Sequence, residues 1–181
     1  MEKEKLEKDE DILNESIEEV MNYIIDEYGE EIKRLIFTYV KDYASTDDMF
    51  QEFLIKVYKK ISSFKREAKL RSWLYRIAIN TCKDYLRSPI NRLLALNDTL
   101  FSEKEKSAEE MVILKENNVR LAEVVLSLPI KYREILVLRF YQSFSIQQIS
   151  EALNMKESTV KTRISRGKSK LRQKLGGDIN E

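Results

Sequence analysis

Glycine and proline are scarce in this chain: its 181 residues include four glycines and two prolines. Turns between the strands of a sheet are usually rich in these two residues, so the sequence offers few places for a hairpin. Apolar residues instead recur three and four positions apart along most of the chain, as they do on one face of an α-helix. The sequence therefore predicts an all-α fold.

Helical spacing is clear in the first third of the chain. Apolar residues between positions 17 and 43 predict two amphipathic helices, with Gly29 as the candidate joint between them. A polar break at 44–46 precedes Asp47 and Asp48, which suit the start of a further helix because acidic side chains complement the helix dipole. The stripe predicted to be buried on this helix consists of Phe50, Leu54, Val57 and Ile61.

The sequence also predicts where the chain divides. Ser72 is the predicted N-cap of a helix that ends near Arg87, since proline at position 89 disfavours helix in the residue before it. Residues 89–106 lack long periodicity, and Ser107 then has capping-box spacing to Glu110. We expect two small helical domains joined by a linker: a charged tail at 1–13, a first domain at 14–88, a linker at 89–106 and a second domain at 107–177.

The most specific local pattern is a helix-turn-helix near the C-terminus. Two helices are predicted at about 145–153 and 158–175, and Asn154 lies between them at a turn that needs the left-handed conformation. Ser150 is small enough to let the second helix approach. The inward side of that helix carries Val160, Ile164, Gly167 and Leu171.

The opposite side of the second helix has short polar residues with cationic flanks, which suits a DNA major groove. The alternative is an ordinary solvated helix. The polar residues are Ser158, Thr162, Ser165 and Ser169, and the flanking cations are Lys161, Arg163 and Arg166.

A second basic face is predicted on the helix that ends near Arg87. Residues 56–87 hold ten basic and two acidic side chains. Asparagine among cations can pair with a base edge while the cations hold the backbone, and Phe64, Trp73 and Tyr75 are near enough in sequence to stack on unpaired bases. A basic solvated face is the alternative. The polar side consists of Arg76, Asn80, Lys83 and Arg87.

The helix that starts at Asp47 differs, because its first two turns gather an acidic surface that would repel DNA and suit a basic protein partner. By itself, such a surface can also be no more than a favourable helix N-terminus. The residues concerned are Asp47, Asp48, Gln51 and Glu52.

The distribution of charge narrows the class of protein. Residues 1–31 hold 13 acidic and three basic side chains, whereas residues 32–181 hold 18 acidic and 29 basic ones. The basic body fits a polyanionic partner. The acidic leader has two interpretations: a shield over the DNA-binding faces, or a solvated tail followed by a packed helix.

Several functions are disfavoured by what the sequence lacks. There is no histidine, no glycine-rich phosphate loop and no convincing nucleophile–base pair, so an enzyme, a metal site and a cofactor are not expected. The single cysteine, Cys82, permits no internal disulfide and favours a reduced cytoplasmic setting. No apolar run approaches the roughly 20 residues that span a bilayer, so no membrane span is expected. The first residues include Glu and Lys and lack a basic segment followed by an apolar one, so a signal peptide is not expected either.

Three stretches of the chain resemble the extracytoplasmic-function (ECF) family of bacterial RNA polymerase sigma factors. Residues 48–53 resemble the acidic block that docks on the polymerase clamp. Residues 70–80 and 84–87 resemble the helix that melts promoters and reads the −10 element. Leu128-Pro129, Arg133-Glu134, Leu138-Arg139 and residues 159–167 resemble the domain that reads the −35 element.

The resemblance implies a non-catalytic subunit with sigma domains 2 and 4, which binds the clamp and flap of core RNA polymerase and directs it to promoter DNA. It further implies a cytoplasmic protein of the stress response, held inactive by an anti-sigma factor that is often membrane-bound. The implied clamp contacts are Asp48, Gln51 and Glu52. The implied −10 contacts are Phe64, Arg71, Trp73, Arg76, Asn80, Lys83 and Arg87, and the implied −35 contacts are Ser158, Thr159, Lys161, Thr162, Arg163, Ser165 and Arg166.

Two rival functions belong to other classes. A stand-alone helix-turn-helix regulator would explain residues 145–175 but would leave the acidic block and the Asn80 face unused. A helical adaptor without a nucleic-acid role is hard to reconcile with the segregation of charge.

Overall fold

A computed structural model describes residues 8–65, 69–88 and 119–176, and within these ranges all regular structure is helical, as predicted. The chain divides into an N-terminal unit, which comprises Met1–Tyr85 and Glu151–Asn154, and a C-terminal unit, which comprises Leu86–Ser150 and Met155–Glu181. The helices are α1 (Ile17–Val40), α2 (Tyr43–Lys60), α3 (Leu70–Arg87), α4 (Val119–Ser127), α5 (Ile130–Leu136), α6 (Ile146–Leu153) and α7 (Glu157–Leu175).

The predicted linker at 89–106 and the Ser107 capping box lie outside the described residues. Residues 8–12, within the predicted charged tail, are helical. Among the helices that the structure describes, none is long and apolar enough to cross a membrane.

A single helix, α1, replaces the two predicted for residues 17–43. Ser16 caps it in a capping box: the Ser16 hydroxyl oxygen accepts a hydrogen bond from the backbone N–H of Glu19, and the Glu19 carboxylate accepts one from the backbone N–H of Ser16. The predicted joint at Gly29 is wrong: this residue is buried inside a continuous helix. Gly29 faces Phe50 of α2, and an added Cβ would lie at an ordinary van der Waals distance, 3.5 Å, from Cζ of that ring.

The break before α2 lies one turn earlier than predicted. Lys41 has a left-handed backbone (φ 59°), and the Asp42 carboxylate accepts a 2.8 Å hydrogen bond from the backbone N–H of Ser45. The polar residues at 44–46 are thus the first turn of α2 and not a loop. An aspartate N-cap outweighs the weak helix propensity of the serine and threonine that follow.

The core of the N-terminal unit forms between α1 and α2, which pack against each other, and α3 adds its own buried face. The buried stripe on α2 contains Phe53 where Leu54 was predicted, and Leu54 is only half-buried. The predicted N-cap at Ser72 is also wrong, since α3 begins at Leu70 and Ser72 is buried within its first turn. Helix α3 ends at Arg87, as predicted from the proline at position 89.

The C-terminal unit is built around α5, which continues into a π-helical turn, Val137–Tyr141. The predicted helix-turn-helix is confirmed in α6 and α7, and Asn154 between them has a left-handed backbone (φ 50°). Helix α7 crosses α5 closely at Gly167, where an added Cβ would lie 3.2 Å from Cγ of Leu136.

Candidate functional site

The acidic face of α2 (Asp48, Gln51 and Glu52) points away from the core. Asp48 and Gln51 are exposed and Glu52 is half-buried, while Phe53 and Val57 occupy the opposite, buried side. The structure therefore brings the three predicted clamp residues together on one surface.

Two apolar side chains that sequence reasoning missed extend the acidic face. Ile55 is 48% exposed and Tyr58 is 55% exposed. Ile55 lies four residues after Gln51 and seven after Asp48, a spacing that places it on the same side of the helix. The same spacing could have identified Ile55 and Tyr58 from the sequence, because neither residue belongs to the predicted buried stripe of α2.

Ion pairs flank the acidic face. Nζ of Lys56 lies 3.6 Å from the carboxylate of Glu52 and 3.8 Å from that of Asp84 on α3, so it links the two helices. Nζ of Lys33 lies 3.0 Å from the carboxylate of Asp47. Asp48 lies between Asp47 and Glu52 in sequence, and it is exposed.

The predicted basic face of α3 (Arg76, Asn80, Lys83 and Arg87) is a single surface. Arg76, Asn80 and Arg87 are exposed and Lys83 is half-buried. The buried residues between them include Ile77, Ala78, Ile79 and Cys82. An amide flanked by cations along one side of a helix can pair with a base edge while the cations hold phosphates.

Phe64 and Trp73 pack on each other beside the start of α3. Their ring centroids are 4.9 Å apart at an interplanar angle of 42°, and both side chains are half-buried. The prediction that Tyr75 stacks on bases is wrong, because its ring is fully buried and its hydroxyl donates a 3.1 Å hydrogen bond to Glu31. Burial, together with the nearby Glu31 carboxylate, raises the pKa of Tyr75.

Arg71 lies apart from the basic face of α3. Its Nη2 and Nε atoms are 2.9 Å and 3.2 Å from one carboxylate oxygen of Glu31, and its guanidinium lies over the Tyr75 ring. The structure thus joins α1 to the first turn of α3 through Arg71, and a contact to DNA from this residue stays a prediction.

The turn between α6 and α7 is held by specific contacts. The Ser150 hydroxyl donates a hydrogen bond to the Met155 carbonyl, and Ile149 and Val160 are buried on either side. The left-handed conformation of Asn154 reverses the chain at this point. The second helix is thereby fixed with its polar residues turned outward.

The polar face of α7 consists of five exposed residues: Ser158, Lys161, Thr162, Ser165 and Arg166. The Thr162 hydroxyl donates a 2.9 Å hydrogen bond to the Ser158 carbonyl one turn earlier. Thr159 and Arg163, which were also predicted to contact DNA, are half-buried. The structure therefore brings most, but not all, of the predicted −35 residues onto one surface.

Two exposed aromatic residues in the C-terminal unit were not predicted as functional. Phe140 and Tyr141 are 56% and 55% exposed at the end of the π-helical turn. Lys168 of α7 lies with its Nζ 5.1 Å from the centroid of the Phe140 ring. Turns of this kind occur often at functional sites, and an exposed aromatic pair suits a protein partner.

These surfaces define a helical protein with two basic, polar faces, on α3 and α7, and one acidic, partly apolar face on α2. Comparison with known proteins makes the class specific. Residues 24–89 match the family described as Sigma-70 region 2, and residues 118–171 match Sigma-70, region 4. The chain belongs to the ECF family of RNA polymerase sigma factors.

Two relatives from Bacillus subtilis (strain 168) support this membership. The ECF RNA polymerase sigma factor SigW is 33% identical over 162 residues, which cover 84% of this chain and 87% of SigW. The RNA polymerase sigma factor SigZ is 34% identical over 152 residues, which cover 84% of this chain and 85% of SigZ.

Solved structures show the same fold at lower identity. CnrH, solved in complex with the cytosolic domain of CnrY, matches with a TM-score of 0.66 at 19% identity and covers 93% of this chain and 94% of that one. The sigma factor RpoE, solved with the anti-sigma factor NepR from Bartonella quintana, matches with a TM-score of 0.64 at 20% identity and covers 82% of this chain and 92% of that one.

Proposed function

We propose that this chain binds core RNA polymerase and directs it to promoters by recognising a −10 and a −35 element and helping to open the DNA. The observation that carries the proposal is the presence of three different faces in one chain. One is acidic and partly apolar, on α2; the other two are basic and polar, on α3 and α7. A regulator that acts without polymerase would not need the acidic face of α2.

In this proposal the N-terminal unit docks on the polymerase clamp through the acidic face of α2, with Ile55 and Tyr58 at its edge. Complementary charge would steer the encounter, and the two apolar side chains would supply buried area once docked. The basic face of α3 would then hold the separated −10 strand. Phe64 and Trp73 lie where an unstacked base could pack against them.

The C-terminal unit would place the polar face of α7 in the −35 major groove. Helices in this arrangement contact base edges with residues near their N-terminus, here Ser158 and Thr162, and phosphates with flanking cations. We place the contact to the polymerase flap at Phe140 and Tyr141, because they are large, exposed and aromatic. The proposed boundaries are 14–88 for domain 2, 89–106 for the linker and 107–177 for domain 4, after a tail at 1–13.

The proposed subunit is non-catalytic and acts in the cytoplasm, where its polymerase is. A further proposed partner is an anti-sigma factor. The motivation is that the structurally similar RpoE was solved with the anti-sigma factor NepR. Such a partner could hold the chain at the membrane if it is itself anchored there.

Run-off transcription tests the proposal. The purified chain is mixed with bacterial core RNA polymerase and a fragmented library of its host genome, and transcripts that require the chain are sequenced. Specific transcripts with two shared upstream elements are expected. If none appears, and the chain binds a duplex operator without core, the stand-alone regulator replaces the sigma factor.

A matched pair of triple variants tests the clamp contact. Asp48→Ala/Gln51→Ala/Glu52→Ala should abolish co-elution with core polymerase. The control, Glu18→Ala/Asp26→Ala/Glu30→Ala, removes exposed acidic residues from α1 and should bind core normally. Equal loss in both variants would mean that net negative charge, and not the acidic face of α2, governs binding.

A further inference from the structure

One cation of α7 is placed differently from the others. Lys161 and Arg166 are exposed, whereas Arg163 is half-buried and its Nη1 lies 3.5 Å from Oε1 of Glu134 on α5. The Glu134 side chain is only 4% exposed. A carboxylate removed from water to this extent depends on a nearby positive charge.

The position of Arg163 on its helix agrees with this contact. Gly167, four residues later, is the point at which α7 crosses Leu136 of α5. Residues four apart share a side of a helix, so Arg163 lies on the α5-facing side with Gly167. Thr162 and Arg166, by contrast, are exposed.

The residue before Glu134 ties α5 to a different neighbour. Nη1 of Arg133 donates hydrogen bonds to the backbone carbonyls of Leu126 and Leu128 at the end of α4. Arg133 and Glu134 therefore hold α5 against α4 on one side and α7 on the other.

We propose that Arg163 is a positioning residue that fixes the rotation of α7 on α5 through Glu134, and that it is not a phosphate contact. The proposal rests on the proposed function, because the orientation matters only if the polar face of α7 meets DNA. Without the pair, the orientation of α7 on α5 is held less tightly, and the base-edge contacts of Ser158 and Thr162, which need the closest alignment to the groove, weaken first.

Thermal unfolding of the full chain tests the ion pair without polymerase or DNA. Arg163→Met should lower the Tm by about 5 °C or more, because the buried Glu134 charge loses this cation. Adding Glu134→Gln should restore part of the loss, since the charge is then gone. Arg163→Lys keeps a cation, so its Tm should lie between the Tm of Arg163→Met and that of the wild type. An unchanged Tm, or strictly additive losses from Glu134→Gln and Arg163→Met, would overturn the pair.

Salt dependence of promoter binding separates positioning from phosphate contact. In the holoenzyme, well below the Tm of every variant, Lys161→Met should reduce the slope of log affinity against log salt by about 0.9, as loss of a phosphate contact does. Arg163→Met should weaken binding at every salt concentration and leave the slope unchanged. A slope reduced as in Lys161→Met would overturn the proposal. If wild-type holoenzyme forms no promoter complex, the proposed function fails, while the unfolding data still decide the ion pair.

Discussion

Both carboxylate oxygens of Asp9 lie 2.8 Å from the hydroxyl of Tyr28, which donates its one proton to this carboxylate from the buried side of α1. The hydroxyl of Tyr23 donates a second hydrogen bond to Asp9, at 2.9 Å. Asp9 is only 5% exposed, although the sequence predicted a charged, solvated tail around it. The leader therefore contains an anchor that joins residues 8–12 to α1.

Replacing this anchor should destabilise the N-terminal unit. Asp9→Asn retains the size of the side chain but leaves one good acceptor for two tyrosine hydroxyls, so a loss of about 1–3 kcal/mol is expected. The control is Asp11→Asn, because Asp11 is exposed nearby in the same segment. Urea unfolding of both variants measures the difference. Equal stability of the two would mean that Asp9 contributes no more than a surface carboxylate.

Stability should fall at alkaline pH because the folded chain holds four buried or part-buried side chains, one thiol and three phenols, in their neutral forms. Burial is the main cause that raises the pKa of Cys82 from 9.0 to about 12, and burial also raises the pKa of Tyr23, Tyr28 and Tyr75 from 10.0. A raised pKa in the folded state gives stability that is complete below the unfolded pKa and is lost as the pH rises above it. We expect a constant Tm up to pH 9 and a decline beyond it.

Cys82 accounts for the first part of that decline. Its thiol should lower the free energy of unfolding by about 1.4 kcal/mol per pH unit between pH 9 and pH 12. In Cys82→Ala the decline should begin only near pH 10, where the tyrosines begin to ionise in the unfolded chain. Tm measured against pH for both proteins gives the comparison. Identical onsets would show that the thiol does not contribute.

The sequence predicts those features of the fold that depend on residues close together in the chain, and it fails where a feature depends on a distant contact. Asn154 and the proline at position 89 act through their own backbones, and the turn between α6 and α7 and the end of α3 were predicted from them. Gly29 was misread because its role is long-range. Its low helix propensity suggested a joint, whereas the chain stays helical through it and buries it beside Phe50 of α2.

The candidate site shows the same division. Helical spacing was sufficient to place Asp48, Gln51 and Glu52 on one surface. It could not place Tyr75 or Arg71, whose environment depends on Glu31, about 40 residues earlier in the chain. Partners this distant leave no periodic signal, so their effect on a nearby DNA-binding face is visible only in three dimensions.

The two buried helical glycines should respond differently to alanine. Gly29→Ala places a Cβ at an ordinary 3.5 Å from Phe50, so the gain in helix propensity, about 0.5–1 kcal/mol, should raise the Tm. Gly167→Ala places a Cβ 3.2 Å from Cγ of Leu136, and the crowding should cancel that gain. Calorimetry of both variants provides the test. A higher Tm for Gly167→Ala than for Gly29→Ala would show that α5 and α7 have room to separate.

Ile55 should contribute to polymerase binding without contributing to stability. Ile55→Ser removes an exposed apolar side chain beside the acidic face of α2, and we expect core affinity to fall about tenfold. The control is Ile25→Ser on α1, where the original side chain is similarly exposed, at 41%. Affinity is measured by titration of labelled chain with core polymerase. If both substitutions weaken binding alike, the apolar edge of the acidic face has no special role.

Phe140 and Tyr141 should contribute to the affinity for core polymerase and not to the electrostatic attraction between this chain and DNA. Phe140→Ala/Tyr141→Ala removes two exposed rings, so core affinity should fall by about tenfold, as at aromatic hot spots. The salt dependence of promoter binding should stay at its wild-type value, because no cation is lost. Leu121→Ala, which changes another exposed apolar residue of the same unit, should leave core affinity unchanged. Normal core affinity combined with a shallower salt slope would instead place the aromatic pair against DNA, with Lys168 beside Phe140 as the displaced phosphate contact.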